Sequence, residues 1–400
     1  MASISGQNTS NIDQVDGFFT SQTGGGGLST IPLVTGVNMS GGIVPSTRPD
    51  MTYEYLNFKI TTDNVVELTA RNNSSYLPQI WAIKSDGTLW YYFLTSQFTG
   101  TGFTPVIGAW TQFGSSTGWQ KLASGSDWSL AIKDGNLYSS GFSFDYAHGS
   151  PASTTAPTWT ILNNTETWID ISCGQSHSLA LTASGKVFSA GSNSDYRTIQ
   201  NTQSGDTTSF TQEHTLGTNW TGIAASGNRS FLIQGGDVYL SGQNNPSMSN
   251  FTSSTSDING PTLGYSGGDI ASISANYFNA TAITTGGSLR FAGFGTGNGR
   301  LDGSSTANTY ATAWNAMTGI GADTDWTKLF TQHISPSNYE TAGVKGGVLY
   351  ATGTNATNFL RLGSSGGLPN NGTPRAINVG NTFNGAFCFM QNNMSVTSFS

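Results

Sequence analysis

Four histidines, His148, His177, His214 and His333, are the first place to look for metal or proton chemistry. None has a second His or Cys at metal-ligand spacing. Acid–base catalysis needs two groups in reach of one substrate. The carboxylates Asp127, Glu213 and Asp269 are scattered, and no spacing favours a particular pair. Two of them could meet only across the centre of a closed fold. There is no G-x-S-x-G elbow and no H-E-x-x-H helix. The glycines Gly295, Gly297, Gly299 and Gly303 lack the strand–turn–helix context of a nucleotide loop. The expectation is a protein that is not an enzyme and holds no cofactor and no metal.

Binding chemistry is better represented. Aromatic residues and arginine are typical of interface centres. The candidate partner-binding residues are Tyr91, Tyr92, Phe142, Phe144, Tyr146, Tyr196 and Arg197, with His333 and Tyr339 in an inserted loop. The competing use of the same rings is to pack between neighbouring sheets.

The elements that must position these groups come from an internal repeat. The trio Trp168, Ile171 and Gly185 recurs as Trp119, Leu122, Gly135 one unit earlier and as Trp220, Ile223, Gly236 one unit later. Ile270, Ile273, Gly287 and then Trp326, Leu329, Gly347 follow. Val65, Leu68, Gly87 opens the series and Ala376, Val379, Asn393 closes it, making seven units. The middle marker advances by 54, 49, 52, 50, 56 and 50 residues. Dipeptides such as Asp134-Gly135 and Gly235-Gly236 sit between short apolar runs, as tight hairpins require. Each unit therefore reads as a β-meander with three visible strands and room for a fourth, one blade of a propeller. Small residues before the closing glycines (Ser140, Ala190, Ser241, Ala292, Thr352) suit strands that converge on a crowded axis. His177 sits at a structural position of the repeat and is expected to be a satisfied core histidine.

The run Trp168–Gly191, W-x-x-I-x-C-G-x-x-H-S-L-A-L-T-x-x-G-x-V-F-x-x-G, resembles the RCC1 repeat. Gly191-Ser192-Asn193, Gly242-Gln243-Asn244 and Gly353-Thr354-Asn355 are similar to that family's G-x-N element, and Leu360–Gly363 to its Q-L-G ending. The resemblance covers residues 60–400 and implies an all-β, seven-bladed propeller with an irregular N-terminal arm. It also implies binding functions: the family includes a chromatin-bound exchange factor for a small GTPase, scaffolds and secreted inhibitors.

The domain reading is an arm at 1–50 and a propeller at 51–400. The arm carries the Gly24–Gly27 run and two apolar patches, Val15–Phe19 and Ile31–Val37, that could dock on something. Ring closure is expected to pair Tyr53–Ile60 with Phe387–Met390 and Met394–Phe399. Units one and six carry insertions, Asn72–Gln79 and His333–Tyr339, and Phe294–Ala322 reads as a surface loop.

Charged residues are only 9% of the chain and the net charge is −7. No Lys/Arg cluster exists for phosphate contacts, so nucleic acid is not an expected partner. No apolar run is long enough to span a membrane, and the N-terminus has no Sec-type signal pattern. Cys173 and Cys388 lie in distant units and are expected to be unpaired core side chains. A charge-poor Asn/Ser/Thr/Gly surface suits a particle-bound β-protein. The resulting expectation is a bacteriophage virion component assembled in the host cytoplasm, a capsid decoration or a tail or adhesion part. Residues 1–50 would bind other virion proteins, and the propeller would meet a neighbour or a host-surface receptor. A soluble inhibitor or exchange-factor-like module and a carbohydrate-binding adhesin are the alternatives.

Overall fold

The computed structural model describes residues 65–353 apart from 72–78, 94–103, 107–109, 126, 143–144, 151–155, 164, 201–204, 214–216, 245–255, 276–278, 296–308, 318 and 331–339, together with five strands outside that span. Three of the five precede it: β1 (Ile12–Val15), β2 (Phe18–Ser21) and β3 (Leu33–Gly36). Blade 1 follows as β4 (Val65–Arg71), β5 (Gln79–Lys84), β6 (Leu89–Phe93) and β7 (Thr111–Gln112). Blade 2 is β8 (Trp119–Ser124), β9 (Trp128–Lys133), β10 (Asn136–Gly141) and β11 (Ala156–Asn163). Blade 3 is β12 (Trp168–Cys173), β13 (His177–Thr182), β14 (Val187–Gly191) and β15 (Thr207–Gln212). Blade 4 is β16 (Trp220–Ser226), β17 (Arg229–Gln234), β18 (Asp237–Gly242) and β19 (Ile258–Tyr265). Blade 5 is β20 (Ile270–Ala275), β21 (Asn279–Thr284), β22 (Leu289–Gly295) and β23 (Thr309–Ala316). Blade 6 is β24 (Trp326–Phe330), β25 (Glu340–Lys345), β26 (Val348–Gly353) and β27 (Arg375–Ala376), and β28 (Phe387–Met390) ends the series.

The six blades are four-stranded antiparallel meanders, so the variable part of each unit does supply a fourth strand. The seventh sheet pairs β28 with β3 in parallel, Phe387 opposite Leu33 and Met390 opposite Gly36. β28 lies against β4, which brings the end of the chain back to its first blade. The described closing strand is therefore Leu33–Gly36; Tyr53–Ile60 and Met394–Phe399 lie outside the described residues. Nor is the N-terminal stretch irregular throughout. Its first apolar patch spans the β1–β2 hairpin and its second contains β3. The segment 294–322 likewise holds more than a loop, since β23 and a 3-10 turn at Gly319–Ala322 fall within it.

The first strand of each blade is the innermost, because β4, β8, β12, β16, β20 and β24 pack on one another in succession. The small residues Ser140, Ala190, Ser241 and Ala292 lie at the ends of third strands, so crowding at the axis is not their cause; all four are buried, and Ser241 lies under the connector of the preceding blade.

Among the described residues, the five junctions from blade 1 to blade 6 repeat one joint. The amide of Trp119 donates to Gly87 O at 3.1 Å, Trp168 to Gly135 at 2.9 Å, and Trp220 to Gly185 at 3.1 Å. Ile270 donates to Gly236 at 3.0 Å and Trp326 to Gly287 at 3.1 Å. The hairpin glycine of one blade thus holds the first residue of the next. The side chain then fills the gap: buried Trp168 packs with Trp128, Leu130 and Ile132 of blade 2 and with Phe188 of its own blade. Sealing a ring of that size contributes roughly 1.5–3 kcal/mol.

Four blades pair this tryptophan with an aromatic on the third strand, as in Trp119–Tyr138 at 5.5 Å and Trp220–Tyr239 at 5.2 Å. Blade 5 has Ile270 instead, and Arg290 stands in register with Tyr239. The arginine grips Asp269 with two nitrogens, Nε at 3.0 Å and Nη2 at 2.7 Å from Oδ2. Tyr265, from the outer strand of blade 4, donates to the same carboxylate at 2.7 Å. An ion pair with a tyrosine replaces the aromatic pair.

Candidate interaction surface

Among the described residues, no group of His, Cys, Asp and Glu is placed to hold a metal. His177 is fully buried, its Nε2 lying 3.0 Å from Ser230 Oγ and 3.2 Å from Arg229 O of blade 4. It is a core histidine held to the next blade through Nε2, while its Nδ1 is buried without a hydrogen bond, so the expected full satisfaction is met at one nitrogen only. Cys173 is buried and unpaired, and burial pushes its thiol up to about 12, which makes it inert as a nucleophile.

The centre of the ring carries charges that the scattered carboxylates did not foretell. Every first strand has a register irregularity just after its opening residue, between Val65 and Glu67, Trp119 and Lys121, Trp168 and Asp170, and likewise in blades 4 to 6. A bulge re-aims the side chains beside it. On an innermost strand the solvent they reach is the central channel. Val66 and Ile169, at the bulged position, are 46% and 47% exposed. The next position holds Glu67, Lys121, Asp170, Gly222, Ser272 and Lys328 around the ring. Lys121 Nζ lies 3.2 Å from Glu67 Oε1. Burial raises the pKa of Glu67, and the Lys121 and Lys328 charges oppose it. Burial also raises Asp170, against the pull of Lys121. The Glu67 charge raises Lys121 in turn. Carboxylates of blades 1 and 3 thus flank the ammonium of blade 2, and these groups are engaged with one another.

Asp127, Glu213 and Asp269 do not converge. Asp127 O accepts from Phe142 N, Glu213 is buried, and Asp269 is held by Arg290, whose hydrogen bonds lower its pKa although burial alone would raise it.

The predicted binding residues divide by exposure. Tyr91 and Tyr92 lie on β6, inside the sheet, and are buried. Tyr91 meets Trp81 edge-on at 5.8 Å, and Tyr92 meets Trp110 at the same distance. Both are packing residues, not contact residues, because the third strand is covered on both faces. Arg197 is also buried, with Nη2 donating to Ser194 Oγ at 2.8 Å and to Asp195. Phe142, Tyr146 and Tyr196 are half-buried. Phe144, His333 and Tyr339 lie outside the described residues.

The connectors that carry these aromatics lean onto the following blade. Ser241 Oγ of blade 4 donates to Tyr196 O at 2.6 Å, and Ser230 Oγ to Arg197 O at 2.5 Å. A Cβ on Gly149 would strike Phe210 of blade 3 at 2.4 Å, so the blade 2 connector sits equally close. Tyr146 and Tyr196 hold the same left-handed backbone, φ +57 and +59. Each follows an aspartate, Asp145 or Asp195. Asp206 is exposed beside them; partial desolvation and the Asp145 charge raise its pKa, and Arg197 opposes them. The outcome on the connector face, over blades 2 and 3, is an acidic patch with half-exposed rings.

The regulator of chromosome condensation (RCC1) repeat model matches residues 168–197, the run that holds the blade 3 core strands and the Tyr196 connector. Those residues carry an RCC1-like repeat, and the fold around them is a propeller like those of the solved structures that follow. Human WBSCR16 superposes with a TM-score of 0.67 at 17% identity, over 91% of this chain and 94% of that one. Prp20p of Saccharomyces cerevisiae, described with its binding to Gsp1p and histones, gives 0.59 at 12% identity over 78% and 77%. Yeast RCC1 (Prp20) bound to Kap60 gives 0.60 at 13% identity over 78% and 75%. At such identities the likeness extends to the fold. No curated protein matches the chain.

Proposed function

We propose that this RCC1-like propeller is a non-enzymatic protein-binding module, and that its contact surface is the connector face over blades 2 and 3. The observation that carries the reading is the half-exposed pair Tyr146 and Tyr196 on connectors that also hold Asp145, with Asp206 close to Asp145. The channel groups are paired among themselves, whereas Tyr146 and Tyr196 are half-exposed. Aromatics supply large contact area at small entropic cost, and the aspartates favour a basic partner. The solved neighbours described with protein partners support the class of function. The test is affinity capture with the wild type and with Tyr146→Ala/Tyr196→Ala/Asp206→Lys. A stoichiometric protein partner lost in the variant supports the surface; equal capture by both removes it.

A second reading places the propeller on a virion, anchored through its N-terminal residues. Charged residues at 9% of the chain favour it, since such a surface suits packing within a particle better than dispersal at high concentration. The pairing of β3 with β28 dictates the experiment. Deleting residues 1–30 removes the leading segment and spares the closing sheet. Particles that incorporate the shortened chain at the normal level would dismiss the anchor.

A further inference from the structure

The outermost strands of blades 1 to 5, β7, β11, β15, β19 and β23, contain no Asp, Glu, Lys or Arg. Natural sheets guard exposed edges with charge, proline, bulges or covering segments. Here β11 carries Pro157 and β19 carries Pro261, and both are bulged against their neighbours. β15 has one irregularity and neither charge nor proline. It reads TTSFTQ, and Thr208, Ser209 and Thr211 are exposed.

Among the described residues β15 is paired on one side only, with β14. Glu213 N donates to Val187 O at 2.9 Å. By the alternation of an antiparallel ladder, Thr211 and Glu213 turn their backbone groups toward β14, and Phe210 and Gln212 turn theirs away. The Phe210 ring itself faces the blade, 6.2 Å from Trp168. The strand therefore offers a row of backbone donors and acceptors with hydroxyl side chains and no charge to repel a partner.

We infer that β15 is an interface on which a second copy of this chain adds its own β15, antiparallel, across a two-fold axis. A two-fold contact needs a patch complementary to itself. A chain of net charge −7 meets that need only where its charge is absent. Exposed charges mark both faces of the ring, Asp134 and Asp325 (63% and 51% exposed) beside Lys133 and Lys345 on one and Asp206 on the other, so copies meeting face to face would have to match those charges. The blade 3 edge is an uncharged alternative.

The experiment is light scattering across a dilution series of the full chain and of Ser209→Lys/Thr211→Lys, with thermal melts to show that the variant folds. The wild type should double its mass between about 1 and about 100 µM, and four lysines at one seam should weaken association at least about tenfold. A wild type that stays monomeric, or a dimer indifferent to the lysines, overturns the inference. Hydrogen exchange on the unmodified chain decides if the variant melts early. Exchange at Phe210 and Gln212 should slow as concentration rises, and concentration-independent exchange there rejects the seam.

Discussion

The amide of Trp220 donates to the carbonyl of Gly185 in the preceding blade, 3.1 Å away. The glycine is required for two separable reasons. Its φ is +74, and a Cβ would lie 2.7 Å from Asn219 N. Gly185→Ala should cost about 1–3 kcal/mol from strain and forced separation of the blades. Gly235→Ala is the control, with φ +61 and nothing within 4 Å of the added carbon. It should cost only the left-handed penalty, about 1–2 kcal/mol. Urea unfolding of both variants measures the difference, and equal losses would remove the joint from the explanation.

Trp168 and Ile169 are adjacent on the innermost strand and differ in exposure, 1% against 47%. Trp168→Ala should destabilise by about 3–5 kcal/mol through the cavity between blades 2 and 3. Ile169→Ala should stay within about 0.5 kcal/mol. Thermal denaturation of the pair tests which side of the bulge faces the channel.

The channel carboxyls predict an unusual acid profile. Glu67 and Asp170 bind their protons more tightly folded than unfolded. Their contribution is complete below the unfolded carboxylate range, about pH 4, and is lost as pH rises through the raised folded values. Glu67→Gln/Asp170→Asn should flatten the loss of melting temperature as the pH rises above the unfolded carboxylate range, about pH 4. A double variant that tracks the wild type across that window would place these carboxyls in open water.

Asp269 has the opposite sign. Its folded pKa is lowered because the Arg290 and Tyr265 hydrogen bonds outweigh burial. Its stabilisation is present above the unfolded value, about pH 4, and is lost as pH falls through the lowered one. Asp269→Asn should therefore narrow the stability difference between pH 7 and about pH 2, by no more than about 1 kcal/mol for a partly exposed pair. Chemical denaturation at the two pH values checks this, and an unchanged difference would mean the pair is neutral.

The repeat was legible because its markers have strong local chemistry. Trp, Gly and the hairpin dipeptides announce strand starts and turns, and the six described first strands begin at the marker residues. What joins the blades was not legible: the bond from Gly185 to Trp220 crosses between units, and no local pattern encodes it. Tyr91 and Tyr92 misled because adjacent aromatics on a strand covered on both faces look the same as aromatics on a loop. The channel charges did leave a signal. Glu67, Lys121, Asp170 and Lys328 each precede the middle marker by one residue, but only the bulge tells which way that position points. The closing strand was hidden because β3 is short and its partner, β28, lies at the other end of the chain.

That last pairing sets an order of events. Leu33 leaves the ribosome before any of the six described blades, and its partner Phe387 after all of them. Six meanders can fold as they emerge, from contacts within their own units, while β3 waits unmatched until β28 is made. A chain cut short anywhere before Phe387 leaves that strand without its mate and the circle open beside β4, so quality control has one late event to inspect: whether β3 and β28 have found each other.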